Sequence, residues 1–316
     1  MARTKEEFYG QSLVEEKRKK EMISNLIAYI ILSIGAFTMI IPFLWTIATS
    51  LKDPADVYDG RFIPQRFAYI YIDKSGSFVS GSTYREGYKE VRAWWANFVK
   101  AWISVPFDKY YRNSLIVATV TTLGQLITCT LAAYAFARLR WFGRDAIFLL
   151  YLGTLMIPFT VTMIPVYILF KYLGLVNTLT AVILIALFSA FGTFLLRQFF
   201  VSIPYDLEEA AFIDGANRLQ ILWHVIIPLS KGALATLGTF TFLFQWNDFL
   251  WPLVVLNSEE VKTIPIGLTA FQSAYGAQWE LVMAASLIAL IPVVIIYIFN
   301  QRFFTESIML TGFGGR

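Results

Sequence analysis

The chain consists of long apolar stretches separated by polar segments. A membrane-spanning helix needs roughly 20 mostly apolar residues, and six stretches reach that length: 23–49, 114–137, 146–170, 179–200, 234–255 and 281–303. The third contains Pro158 and Pro165, and proline kinks or interrupts a helix. The pattern therefore predicts an all-α integral membrane protein with six transmembrane helices. The first stretch is interpreted as a retained span, because a long polar segment precedes it and no signal-cleavage pattern follows.

Composition supports the membrane assignment and excludes several classes of protein. Of the 316 residues, 57% are hydrophobic and 15% are charged, whereas soluble domains carry about 25% charged residues. A soluble globular enzyme and a disordered chain are therefore excluded. Cys129 is the single cysteine and His224 the single histidine, which excludes an intrachain disulfide and a metal site built from several histidines. No metal or cofactor is expected.

Basic residues are concentrated in the tails and in alternate short loops. One side of the predicted bilayer carries most of them: Arg3, Lys5, Lys17, Arg18, Lys19, Lys20, Arg138, Arg140, Arg144, Arg197, Arg218, Lys231, Arg302 and Arg316. The opposite short loops carry Lys171 and Lys262. Basic loops remain in the cytoplasm, so both termini of this multi-pass cell-membrane protein are predicted to be cytoplasmic. In such a chain the net charge of +4 indicates membrane topology rather than nucleic-acid binding.

These observations divide the chain into segments. A cytoplasmic tail, 1–22, leads into the first transmembrane helix, 23–49. An extracytoplasmic loop, 50–112, precedes a five-helix core, 113–305, and a cytoplasmic tail, 306–316, follows it. The loop is rich in aromatic residues, and we predict a hairpin within 67–80 and an amphipathic helix at 93–103. Its aromatics suit sugar stacking, but they also suit the core of a small cap or the membrane interface.

A polar segment, 201–231, lies between the fourth and fifth spans. Pro204 suits the first turn of a helix, and three acids follow where the helix dipole favours negative charge: Asp206, Glu208 and Glu209. Gly215 suits a left-handed helix end. A second helix is expected from about 218 to 225, ending before Pro228. The predicted cytoplasmic helix–turn–helix, hereafter the elbow, suits either contact with another protein or a position on the lipid surface.

The elbow resembles the EAA loop of ATP-binding cassette (ABC) importer permeases, whose pattern is EAA, three residues, G, nine residues, then I-x-L-P. Glu209-Ala210-Ala211, Gly215 and Pro228 match in spacing, while Val225 and Ile227 replace the pattern's Ile and Leu. Further stretches from Asn113 to the chain end are similar to carbohydrate-type permeases: 113–138, 157–167, 173–178, 246–253 and 310–315. The last is similar to the tail of the maltose-type second permease. The extracytoplasmic loop is longer than is usual in the family.

The resemblance implies a type I importer fold and a non-enzymatic transport role. The chain has no G-x-x-x-x-G-K-[ST] phosphate loop, so ATP hydrolysis is expected on partner chains. The implied partners are a homologous second permease, two ATP-binding subunits and an extracytoplasmic solute-binding protein, all at the lipid bilayer and without nucleic acid. The residues implied in ATPase coupling are Glu208, Glu209, Ala210, Ala211, Asp214, Gly215 and Pro228.

The fifth span carries a polar and aromatic cluster near its outer end. Its members are Gln245, Trp246, Asn247, Asp248 and Trp251. A carboxylate at membrane depth is costly unless it is paired or wetted, so Asp248 is expected to face a cavity or another helix. Such a cluster suits hydrogen bonding to sugar hydroxyls and stacking on sugar faces, and it equally suits packing against the sister permease.

The sequence therefore favours the interpretation that the chain is the permease of an ABC importer for an oligosaccharide or disaccharide. Two alternatives stay open. One is a permease for a non-sugar or sugar-phosphate solute such as glycerol phosphate. The other is an ATP-independent membrane transporter or scaffold. An ion-coupled transporter, however, would commonly carry acids in several spans, and neither an ATP-independent transporter nor a scaffold gives the elbow a role.

Overall fold

The computed structural model describes residues 3–79, 87–273 and 276–312. Its helices are α1 (Arg3–Leu51), α2 (Ala96–Ser104), α3 (Phe107–Arg138), α4 (Arg144–Gly153), α5 (Phe159–Tyr172), α6 (Leu179–Ala186), α7 (Ala190–Ser202), α8 (Asp206–Ile213), α9 (Arg218–Ile221), α10 (Ile227–Leu229), α11 (Lys231–Trp246), α12 (Leu250–Val255), α13 (Ile264–Gly267) and α14 (Trp279–Gly312). The strands are β1 (Tyr69–Ile72), β2 (Phe78–Val79), β3 (Lys89–Arg92), β4 (Gln272–Ser273) and β5 (Gly276–Ala277). Residues 313–315 of the predicted family-like tail lie outside the described residues.

The described residues contain four helical segments long and apolar enough to cross a membrane: Lys20–Leu51, Phe107–Arg138, Leu179–Ser202 and Trp279–Gln301. Two bent helix pairs raise the total to six if each pair is one span. The bends are 97° between Arg144–Met156 and Phe159–Tyr172, and 81° between Arg218–Leu229 and Lys231–Trp246. The all-α membrane class is confirmed, and the range of four to six spans is compatible with the predicted six.

The breaks within the spans lie partly where the sequence predicts them. Pro158 lies at the break between α4 and α5, as expected, whereas Pro165 lies inside α5. Two further breaks, at 187–189 and 247–249, have no proline and were not predicted. At the first, Gln125 Nε2 donates to the Ala186 carbonyl at 2.5 Å and Thr128 Oγ1 to the Leu187 carbonyl at 2.6 Å. Side chains of α3 thus replace the helical hydrogen bonds that the break removes.

Helix α3 is the central packing element. It lies against α7 and α11, while α14 packs on α11, on α2 and along α1. One buried cluster joins the carboxyl end of α3 to α7 and the elbow through Tyr134, Leu196, Phe200 and Ile221. A second cluster joins the other end of α3 to α11 and α14. The elbow therefore packs against the same helix that organises the membrane core.

The described part of the loop 50–112 forms a small folded cap. The predicted hairpin is confirmed: β1 pairs antiparallel with β2, and β3 adds to its other edge. The predicted amphipathic helix is α2. The cap has its own core of Ala68, Ile70 and Ala96 with Trp95 packed against it. Most other aromatics of the loop contribute little to this core, and Trp94 is 60% exposed.

Candidate functional site: the elbow and the fifth-span cluster

The first helix of the elbow, α8, ends at Ile213, and Gly215 follows its C-cap residue, Asp214. Gly215 has a φ of +86°, the left-handed conformation that favours glycine. Its N–H donates to the Phe212 carbonyl at 3.0 Å, and the Ala216 N–H donates to the Ala211 carbonyl at 2.9 Å. These bonds close the carboxyl end of α8 in the manner of a glycine C-cap. The sequence prediction of a helix ended by Gly215 is confirmed.

The second helix of the elbow is capped at its start and continues further than expected. The Asn217 side chain accepts from the Gln220 N–H at 3.0 Å, and the Gln220 side chain accepts from the Asn217 N–H at 2.8 Å. This reciprocal capping box satisfies two amide groups that the helix leaves free. The expected end before Pro228 is wrong, because helical structure passes through Pro228 to Leu229. A π-helical turn, Leu222–Ile226, precedes the proline and accommodates its missing N–H.

The two adjacent glutamates of the elbow lie in different environments. Glu208 is 3% exposed, and its Oε1 lies 3.0 Å from Nε of Arg138, the last residue of α3. Glu209 is exposed. Burial raises the pKa of the Glu208 carboxyl, while Arg138 and Arg218 oppose that rise. The structure therefore leaves Glu209, the carboxylate of the family-like pattern, on the surface and turns Glu208, which directly precedes the pattern, towards Arg138 of α3.

The remaining pattern residues lie mostly on the surface of the elbow. Ala210, Asp214 and Pro228 are exposed, and Ala211 is half-buried. Large apolar side chains share this surface: Ile213 at 86% exposed, Leu219 at 60% and Trp223 at 60%. Exposed apolar side chains on a segment that also carries exposed acids suit a contact with another protein.

A second set of contacts, absent from the sequence prediction, fixes the elbow to α3. The Arg138 guanidinium lies 4.3 Å from the centre of the Tyr205 ring and donates to the Ile203 carbonyl at 2.5 Å. The Tyr205 hydroxyl donates to the Ala137 carbonyl at 3.4 Å. The sequence presents Arg138 as an ordinary basic residue at the end of a span, and no local pattern around it predicts that its side chain is buried.

The two tryptophans of the fifth-span cluster are packing residues within this chain. Trp246 is buried, stacks on Phe242 at 5.6 Å and donates its indole N–H to the Ala289 carbonyl at 3.1 Å. Trp251 is buried and donates to the Ala181 carbonyl of α6 at 3.1 Å. The break at 247–249 directs the two indoles to different neighbours, α14 and α6. Each indole N–H thus already has a protein acceptor.

The polar members of the cluster are less buried than the two tryptophans. Gln245 is half-buried, and its Oε1 is buried without a hydrogen-bond partner among the described residues. Asn247 is exposed, with its amide donating to the Leu243 carbonyl at 2.7 Å. Asp248 is partly buried and faces the backbone N–H groups of residues 249–251. Gln245, Asn247 and Asp248 therefore supply the polar side-chain atoms that the cluster offers near the break at 247–249.

The fold and the exposed elbow define a multi-pass transport subunit. The chain belongs to the family described as binding-protein-dependent transport system inner membrane component, whose model matches residues 124–308. It is therefore a membrane-embedded permease subunit of a binding-protein-dependent transporter, and its role is transport rather than catalysis.

The relatives transport several solutes according to their names. The chain is 38% identical over 206 residues to the arabinooligosaccharides transport system permease protein AraQ of Halalkalibacterium halodurans, covering 65% of this chain and 74% of that one. It is 31% identical to the sn-glycerol-3-phosphate transport system permease protein UgpE of Rhizobium meliloti, covering 93% and 99%. A crystal structure of a bacterial ABC transporter that imports the acidic polysaccharide alginate matches with a TM-score of 0.73 and 26% identity, covering 90% and 98%.

Proposed function

We propose that this chain is one of two homologous permeases in an ABC importer for an oligosaccharide or disaccharide. Two cytoplasmic ATP-binding subunits and an extracytoplasmic solute-binding protein complete the complex. The observation that carries this proposal is the elbow: a capped helix pair with an exposed acid and apolar surface, fixed to the central helix α3. Family membership and the similarity to an alginate importer support it.

In this proposal the elbow is the contact with the ATP-binding subunits. The exposed Glu209 pairs with a basic side chain of the partner, Ala210 and Ala211 allow close approach, and Ile213, Leu219 and Trp223 bury apolar surface. Asp214 and Gly215 shape the turn between α8 and α9, and Pro228 lies in the helical segment that leads to α11. ATP-driven closure of the partners moves the elbows, and the spans alternate between inward-open and outward-open states that differ by a few kcal/mol.

The membrane topology follows from this contact. The cytoplasmic side carries the elbow, the basic α3–α4 loop and both termini with their tails, 1–22 and 306–316. The cap within 50–112 and the loop that contains β4 and β5 lie on the opposite side, where Tyr58 of the cap donates to the Ala277 carbonyl at 3.3 Å. The core, 113–305, lies between these two layers.

A neutral sugar fits this chain better than a phosphorylated solute. The sequence has no Lys or Arg within 114–137, 145–170, 179–196, 232–255 or 281–300. A phosphate at membrane depth needs cationic partners to offset its desolvation, and the carboxylate of Asp248 would repel it. Hydroxyl groups need only polar side chains, and Gln245, Asn247 and Asp248 supply them. Trp246 and Trp251 hold the backbone on both sides of the break.

Co-purification followed by reconstitution tests the proposal. The permease is purified from native membranes with its associated chains, placed in proteoliposomes with the solute-binding protein, and supplied with ATP. We expect an ATP-binding protein to co-purify and a neutral oligosaccharide to enter, with no uptake in the absence of ATP. Uptake of glycerol phosphate but not of oligosaccharide would overturn the substrate class. Absence of any ATP-binding protein, even after cross-linking in native vesicles, would overturn the importer assignment.

A further inference from the structure

Arg138 and Glu208 form a buried ion pair between two functional elements of the chain. Arg138 is the last residue of α3, and Glu208 lies in the first turn of α8. Their side chains are 0% and 4% exposed, with Nε and Oε1 3.0 Å apart. Seventy positions of sequence separate them, so the contact belongs to the tertiary structure alone.

Fold stability does not account for this pair. Moving both charges out of water is costly, and well-packed apolar residues of similar volume often serve as well or better. The contact also lacks hydrogen-bond geometry, since Arg138 Nε and Glu208 Oε1 have no hydrogen-bond partner among the described residues. Each charge, however, stabilises the other, because removing one takes away the ion-pair partner of a buried charge. Arg218 also favours the charged form of Glu208.

The position of the pair suits transmission of force. The elbow is covalently joined to α7 at its start and to α11 at the corner at Ser230, where the chain bends by 81° between Arg218–Leu229 and Lys231–Trp246. Neither covalent link reaches α3. The ion pair adds that attachment, so that a movement of the elbow acts on α3 as well as on the two helices that flank the elbow in sequence.

Neighbouring contacts reinforce this attachment of the elbow to α3. Arg197 Nε donates to the Phe136 carbonyl at 3.2 Å, in addition to the bonds that Arg138 and Tyr205 make with the Ile203 and Ala137 carbonyls. The last turn of α3 is thereby tied to α7 and to the start of the elbow. At the far end of α3, Asn113 donates to the Glu260 and Lys262 carbonyls at 2.8 and 3.0 Å, so α3 links the elbow to the extracytoplasmic loops.

We propose that Arg138 and Glu208 are positioning residues that transmit the movement of the elbow to α3 and hence to the solute pathway. They contact neither nucleotide nor solute. The inference rests on the proposed function, because it needs ATP-binding partners that move the elbow. It assigns the second acid of the elbow a role opposite to that of Glu209: Glu209 joins the partner, and Glu208 joins the membrane core.

The test measures coupling separately from assembly. Glu208→Gln and Arg138→Gln complexes are purified, and ATP hydrolysis and oligosaccharide uptake are measured in the same proteoliposomes. We expect the ATP-binding subunits to stay bound and uptake per ATP hydrolysed to fall roughly tenfold, within the usual range of coupling between sites. Arg140→Gln is the matched control, because it removes an exposed arginine two positions away and should leave uptake per ATP unchanged.

A double variant keeps the inference falsifiable if the single variants do not accumulate. Arg138→Leu with Glu208→Leu removes both charges and leaves neither unpaired, so it should insert and assemble. Reduced uptake per ATP in that complex supports the inference, and unchanged uptake per ATP overturns it. Failure of the proposed function is distinguishable, because the wild-type complex itself would then lack ATP-dependent uptake.

Discussion

Glu208 and Glu209 are neighbours in sequence, yet the first is buried against Arg138 and the second is exposed. A helix places adjacent residues about 100° apart around its axis, so one can face the core while the other faces outward. The two acids that are adjacent in the sequence therefore lie in different environments. In the proposed importer, Glu208 joins the elbow to the membrane core and Glu209 is available to a partner.

The exposed acid and the glycine turn give the first prediction. Glu209→Lys reverses the charge offered to the ATP-binding partner, and Gly215→Asp forces a side chain into a left-handed conformation that costs roughly 1–2 kcal/mol. Nothing lies within 4 Å of a Cβ at Gly215, so the chain should still fold. We expect both variants to insert in the membrane and to lose uptake in transport assays.

Glu209→Gln is the control for the charge reversal, since it keeps the shape and removes only the charge. It should retain part of the uptake. Normal uptake by both Glu209→Lys and Gly215→Asp would contradict the coupling role of the elbow.

Asn177 is the subject of the second prediction. It has a φ of +66°, and its side-chain oxygen accepts from the Asn257 and Ser258 N–H groups, each at 2.9 Å. Its amide also donates to the Ser258 hydroxyl at 2.6 Å. Asn177→Ala loses these bonds and strains the backbone, so it should lower the free energy of unfolding by about 2–3 kcal/mol. The thermal unfolding midpoint measures the loss.

Two further variants separate the causes. Asn177→Gly loses the bonds without the strain, and Asn177→Asp keeps both acceptors. The decrease in the unfolding midpoint should therefore be largest for Ala, smaller for Gly and smallest for Asp. An Asp variant that unfolds at as low a temperature as the Ala variant would contradict the role given to the Asn177 side-chain oxygen.

A pair of glycines gives the third prediction. A Cβ at Gly267 would lie 2.2 Å from Cδ2 of the buried Tyr110 ring, whereas a Cβ at Gly238 would meet Leu126 at 3.6 Å, an ordinary contact. Gly267→Ala should destabilise the purified protein by about 1–3 kcal/mol through overpacking. Gly238→Ala should leave the unfolding midpoint unchanged or slightly higher, and equal effects of the two substitutions would refute the packing argument.

Asp248 gives the fourth prediction. If it contacts solute, Asp248→Ala reduces uptake while ATP-binding subunits and the sister permease stay bound in pull-down experiments. Asp248→Asn, which still donates and accepts hydrogen bonds, should retain more uptake than Ala. Dissociation of the permease pair in Asp248→Ala would instead make the cluster an interface between the two permeases.

The sequence alone determined the membrane class and the helix pair of the elbow, and it left a small cap as one of three interpretations of the loop 50–112. Apolar length determines which segments cross a bilayer, and Gly215 signals where the first helix of the elbow ends. That helix begins at Asp206, two positions after Pro204. The hairpin containing Gly76 follows from the same local rules. These features depend on neighbours within a few positions, so they can be read from the chain itself.

The tertiary structure decided which side chains act together. The break at 187–189 is stabilised by distant groups, because Gln125 and Thr128 on α3 donate to the Ala186 and Leu187 carbonyls. Trp246 and Trp251 form one cluster in sequence, but the break at 247–249 turns them towards α14 and α6. Burial of Arg138 against Glu208 likewise depends on where two segments meet in space. Long-range contacts set these outcomes, and no local pattern in the sequence encodes them.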